Sequence, residues 1–129
     1  MSRNTEHATD RAPQAFPQPA LVVNHPLRAH ESPNFLPTAD RVLDLASAGY
    51  RLEVPGTEHL TFTDAPLWLP PVPSVVGTLG PYEGPTLTAE VTALFLDHKM
   101  LGKGSETQLR EELSLWGSLD HTTTNTAGR

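Results

Sequence analysis

An α/β fold is predicted by three features of the chain: a continuous apolar run at residues 20–24, an alternating run at residues 50–54, and a helical pattern between them. The first run, Ala20-Leu21-Val22-Val23-Asn24, follows prolines and has the composition of a strand covered on both faces in a parallel sheet. In the second, Tyr50, Leu52 and Val54 alternate with Arg51 and Glu53, the period of a strand, until Pro55-Gly56 breaks it. Between them Thr38, after Pro37, is placed to cap a helix over residues 39–48 carrying Val42, Leu43, Leu45 and Ala46, and Gly49 stands where a left-handed C-terminal cap belongs. Strand, helix and strand make one β-α-β unit, with parallel strands and a right-handed crossover.

Beyond that unit, residues 64–85 are rich in proline and read as a long loop with local turns. Leu87, Val91, Leu94 and Phe95 then fall at i, i+4, i+7 and i+8, an amphipathic helix whose end is marked by Lys99, Gly102 and Lys103. Ser105-Glu106-Thr107-Gln108 is a capping-box pattern opening a second helix, with Leu109, Leu113 and Trp116 along one stripe. Residues 1–16 mix charge with small polar residues and are expected to be disordered, because they cannot bury enough apolar surface to offset their ordering entropy. The polar, aperiodic residues 117–129 are expected to form a flexible tail, leaving 17–116 as the ordered part.

Composition excludes several functions. With 15 acidic and nine basic side chains the formal charge is −6, and the cations are scattered, so nucleic acid is not an expected partner. No cysteine is present, which excludes a disulfide framework and thiolate chemistry. No apolar stretch approaches the roughly 20 residues of a membrane-spanning helix, nor does the N-terminus read as a signal peptide, so a soluble, cytoplasmic protein is expected. His25 and His30, with Glu31 adjacent, lack the spacing and number of ligands that a zinc site needs, so no metal is expected. Nothing in the residues asks for a cofactor.

The segment with the most chemical content is residues 56–64, where Gly56, His59, Phe62 and Asp64 follow the second strand. This Gly-x-x-His-x-x-Phe-x-Asp pattern resembles the catalytic-histidine segment of α/β-hydrolases, most closely the platelet-activating-factor acetylhydrolase-like esterases. The resemblance covers residues 17–103 and takes in Phe95-Leu96-Asp97-His98-Lys99-Met100-Leu101-Gly102, similar to the terminal helix of such esterases. It implies a partial α/β-hydrolase fold, made of the last two parallel strands, their crossover helix and the C-terminal helices. The implied ancestral reaction is hydrolysis of acetyl or short-acyl esters.

In that chemistry an imidazole removes the proton of a serine hydroxyl and later protonates the leaving alkoxide, the role the resemblance gives to His59. A Gly-x-Ser-x-Gly elbow is not found here, and in the family both the serine and the acid precede the matched region. Ser105, in Gly102-Lys103-Gly104-Ser105-Glu106, is better explained as a helix cap, and Asp64 and Glu58 as loop residues. The chain alone is therefore expected to be inactive, with an ester or phospholipid-like substrate only when completed by an N-terminal part. Phe62, Leu67 and Trp68 form an apolar group beside His59 that could line an acyl pocket but is read as cover for the sheet edge. The alternative reading is a non-catalytic β-α-β interaction module, and two strands with unpaired edges predict self-association or docking through the open sheet edge.

Overall fold

A computed structural model describes residues 14–27, 33–80 and 82–124 of the chain. Along them run β1 (Ala20–Asn24), α1 (Phe35–Leu45), β2 (Ala48–Glu53), 3-10 turns at His59–Phe62 and Ala65–Leu67, α2 (Pro73–Val76), α3 (Glu83–Leu101), α4 (Glu106–Ser114) and β3 (Ser118–Thr124). β1 and β2 are parallel, with Leu21 opposite Tyr50 and Val23 opposite Leu52, as the β-α-β pattern requires. β2 is central in a mixed sheet of order β1-β2-β3. Among the described residues no helix is long and apolar enough to cross a membrane.

Both faces of β2 are covered. Tyr50 and Leu52 point to one face, where they pack with Leu87 and Val91 of α3 and with Leu109 and Leu113 of α4. Full burial of each such aliphatic side chain contributes about 1.5–3 kcal/mol. Gly49 and Arg51 point to the other face, against α1: a Cβ on Gly49 would lie 2.5 Å from the Leu43 carbonyl oxygen, and Arg51 Nε donates to Asp40 Oδ1 at 2.7 Å. Gly49 is thus a strand residue that lets α1 close on the sheet rather than the predicted helix cap, and α1 stops at Leu45 with Ala46 already extended. At its other end α1 begins at Phe35, ahead of the predicted Thr38 cap. Pro37 is accommodated in the first turn, where its missing N–H would have had no helical partner.

The expected flexible tail is corrected over residues 118–124, which form β3 antiparallel to β2. Periodicity could not find this strand because Leu119 is its only apolar residue, and a bulge also interrupts its pairing with β2. Leu119 pairs with Leu52 and packs on the core, whereas His121 pairs with Arg51 on the opposite face, the extra residue being Asp120. The strand is also held by polar contacts to α1: His121 Nε2 lies 2.7 Å from Asp44 Oδ1, and Thr123 Oγ1 donates to the same oxygen at 2.8 Å. These hydrogen bonds, from His121 first and Thr123 second, hold the Asp44 carboxyl below its ordinary value of 3.8. A carboxyl depressed in the folded state stabilises fully above its unfolded value and loses that contribution as pH falls through the folded one. Melting temperature should therefore drop on acidification below pH 3.8, and Asp44→Asn should flatten that drop; an unchanged acid profile in the variant would dismiss the clasp. Residues 125–129 lie outside the described part, as do 1–13 of the segment expected to be disordered. Phe16, at that segment's end, donates its N–H to Leu45 O at 2.8 Å.

At the start of α4 the capping box forms as predicted: Ser105 Oγ accepts the Gln108 N–H at 3.1 Å and Gln108 Oε1 accepts the Ser105 N–H at 3.3 Å. The adjacent Glu106 gathers Tyr50 Oη at 2.5 Å, Arg110 Nε at 3.1 Å and Lys99 Nζ at 3.2 Å, linking β2, α3 and α4. Burial pushes the Glu106 carboxyl up, but the hydrogen bonds from Tyr50, Lys99 and Arg110 outweigh it and leave the group below its ordinary range. Burial, and then the Glu106 hydrogen bond, raise the Tyr50 hydroxyl well above its ordinary value, so it stays a donor. Phe95 meets the Tyr50 ring edge to face at 5.9 Å and Lys99 lies over it at 5.0 Å.

Candidate functional site

The C-terminal ends of β1 and β2 open on the same side, as they must in a parallel pair, and the residues that follow build a cleft there. After β2, Gly56 turns the chain at φ 77°, and its carbonyl accepts the Thr78 N–H at 2.8 Å. Thr57 Oγ1 donates to Val54 O at 2.6 Å, fixing the exit from the strand. Thr61 anchors the His59–Phe62 turn: fully buried, it donates through Oγ1 to Val76 O at 2.6 Å and accepts the Glu58 N–H at 2.8 Å. On its other side Gly84 of α3 approaches so closely that a Cβ would lie 2.3 Å from Thr61 O. His59 therefore projects from a turn held between α2 and α3, with its side chain exposed at the rim of the cleft.

The cleft has a volume of about 530 Å³, in the range of small-molecule sites, and an apolar wall of Val23, Leu27, Phe35, Phe62, Leu87 and Val91. Its polar groups are few. Asn24, at the end of β1, donates through Nδ2 to His25 O at 2.9 Å and to Glu53 Oε1 at 3.3 Å. Its Oδ1 is buried without a hydrogen-bond partner among the described residues. The His25 and His59 rings stand edge to face, 6.4 Å between centroids. Of the three threonine hydroxyls on the lining, two are committed to backbone carbonyls: Thr63 Oγ1 donates to Leu60 O at 2.7 Å and Thr88 Oγ1 to Gly84 O at 2.9 Å.

His59 thus occupies the predicted place beyond β2, beside an apolar cleft, but nothing described here activates it. The ion pairs among the described residues involve Asp40, Asp44, Glu106 and Asp120, and none reaches His59. Ser105 is a helix cap on α4, with its hydroxyl oxygen engaged by Gln108. The apolar group expected beside His59 divides: Phe62 lines the cleft, whereas Trp68 is 83% exposed and Leu67 also faces outward, so they do not cover the sheet edge. Short turns organise the proline-rich segment and carry these side chains out from the core. His98 sits against the Glu106 group, with Nδ1 3.1 Å from Lys103 O and Nε2 3.6 Å from Glu106 Oε2. His30 and Glu31 lie outside the described residues. Sequence reasoning passed over Asn24 as a site residue; the signal was a polar side chain closing an apolar parallel strand, where open α/β sheets place their ligands.

No protein-family model, curated protein or solved structure matches this chain.

Proposed function

We propose that the chain is the C-terminal portion of an α/β-hydrolase-like serine esterase, supplying a general base and part of an acyl cleft to a site whose nucleophile and acid come from another segment. The reading is carried by one observation: His59 stands beyond the C-terminal end of a parallel strand pair, on the rim of an apolar cleft of about 530 Å³. The earlier strands of such a sheet would add to β1, whose outer edge has no strand partner among the described residues. In the completed site His59 would take the serine proton and return it to the leaving alkoxide, while the apolar wall holds a short acyl chain.

Two measurements test this reading. The purified chain should show no saturable hydrolysis of p-nitrophenyl acetate that His59→Ala abolishes, because an imidazole without an aligned nucleophile and oxyanion hole adds little to solution imidazole. Such turnover would place the nucleophile within this chain. Butyrate, the product of short-acyl ester hydrolysis, should shift the NMR signals of His25, His59, Leu87 and Val91. Unmoved signals at saturating butyrate would remove the acyl cleft.

The open β1 edge favours a second reading, a non-catalytic module that self-associates or docks on a partner by strand addition. Sedimentation should then show a concentration-dependent dimer. A strictly monomeric chain with a concentration-independent melt above about 60 °C would set self-association aside.

A further inference from the structure

Among the described residues that line the cleft, His25 and His59 are the titratable ones. The remaining lining is the apolar wall together with Asn24 and three threonines, all neutral. No other cation comes from these stretches of chain, since residues 52–98 contain no Lys or Arg and residues 12–27 no Asp, Glu, Lys or Arg. The neighbouring carboxylates stay off the lining. Glu53 Oε1 accepts from Asn24 Nδ2 at 3.3 Å, and Glu58 and Asp64 adjoin the His59–Phe62 turn without lining the cleft. Of the elements packed on that turn, α2 and the Ala65–Leu67 turn carry no titratable side chain, and the acidic residues of α3, Glu83, Glu90 and Asp97, lie off the lining too. On α1, Asp40 and Asp44 are engaged by Arg51 and His121. Protonation of the two imidazoles therefore gives an apolar cleft two positive charges and no negative one. With the ring centroids 6.4 Å apart the two charges repel, and an anion seated beside both relieves that repulsion.

We propose that the cleft binds a small apolar monocarboxylate as its anion, with the hydrocarbon tail against Phe62, Leu87 and Val91 and the carboxylate beside His25 and His59. Such a ligand uses both features of the lining at once. Its tail leaves water for the apolar wall, at about 25 cal/mol per Å² buried, and its single charge meets the two groups of the lining that can oppose it. Binding and protonation are then linked in both directions: affinity rises as the imidazoles gain protons, and the bound acid holds them protonated to higher pH. The site is the proposed acyl cleft, but this recognition needs neither nucleophile nor ester and makes the free acid a ligand in its own right.

Titration of the full chain with hexanoate and with its neutral isostere hexanamide, followed through the NMR signals of Leu87 and Val91, tests it. The measurement runs from about pH 8 to about pH 6, where a carboxylate stays ionised and histidines change charge. Hexanoate affinity should rise about tenfold over that interval, roughly threefold for each imidazolium, while hexanamide affinity stays level. Saturating hexanoate should also move the ring-proton titrations of His25 and His59 to higher pH. His25→Gln and His59→Gln, each checked for an unchanged melting temperature, should reduce the rise to about threefold, and the double variant should abolish it. Hexanoate and hexanamide binding alike at every pH would overturn carboxylate recognition and leave the acyl cleft standing. Binding of neither would remove both. An acid-dependent rise that survives in the double variant would also overturn the proposal, because the opposing charge would then lie elsewhere.

Discussion

Deleting residues 118–129 should abolish cooperative unfolding of the chain. β3 pairs with β2 along its whole length from Ala48 to Glu53, and Leu119 covers the core beside Leu52. Without β3 the sheet is reduced to β1 and β2, and a two-stranded sheet of five or six residues per strand is marginal in water. The central strand, whose Tyr50 and Leu52 anchor the packing of α3 and α4, would become an edge with unsatisfied backbone groups. Arg51 would also lose Asp120, which lies 3.7 Å from its Nη1, and Asp44 would lose the hydrogen bonds from His121 and Thr123. The combined loss should exceed about 5 kcal/mol, as much as the whole stability of many domains of this size. A thermal melt followed by circular dichroism checks it. A truncated chain that still melts in a single sigmoidal step within a few degrees of the full chain would show that β3 is dispensable.

Glu106→Ala is expected to destabilise the folded chain by about 2–3 kcal/mol, the cost of leaving a buried donor without an acceptor together with the loss of a partly exposed ion-pair group. The Tyr50 side chain is fully buried, and its hydroxyl loses its acceptor when the carboxylate is removed. Lys99 and Arg110 lose their partner at the same time. Glu106→Gln keeps an acceptor for Tyr50 and should cost less. Tyr50→Phe, which leaves Glu106 with its two cationic partners, should cost about 1 kcal/mol. Urea unfolding of the two single variants and the double variant measures the coupling, which should be substantial because both changes break the same hydrogen bond. Strict additivity would mean that the 2.5 Å contact contributes nothing of its own.

The β-α-β unit was legible in the sequence because each of its elements has a local signature, a continuous apolar run for β1 and an alternating one for β2. The β1 run matches its residues end for end, and Tyr50 and Leu52 carry the alternation of β2. The capping box at Ser105 was readable for the same reason: side-chain capping is a local interaction. His59 could be placed beyond β2 from Pro55-Gly56 alone, since those residues end the strand wherever it packs. The start of α1 was not legible, because a proline breaks a helix interior yet is accepted in a first turn, and sequence does not say which turn it occupies.

Local periodicity and turn chemistry suffice for the two parallel strands, for the existence of the helices that pack on them and for the position of His59 at a strand end. The tertiary structure alone decided that the polar segment after Gly117 is the third strand. Its stabilisation comes from pairing with β2 and from Asp44 and Asp40 on a distant helix, contacts that leave no period in the sequence. It also decided the division of the apolar residues after His59, sending Phe62 into the cleft and Trp68 outward. Apolar character fixes that a side chain avoids water, but only the three-dimensional packing fixes whether protein supplies the cover.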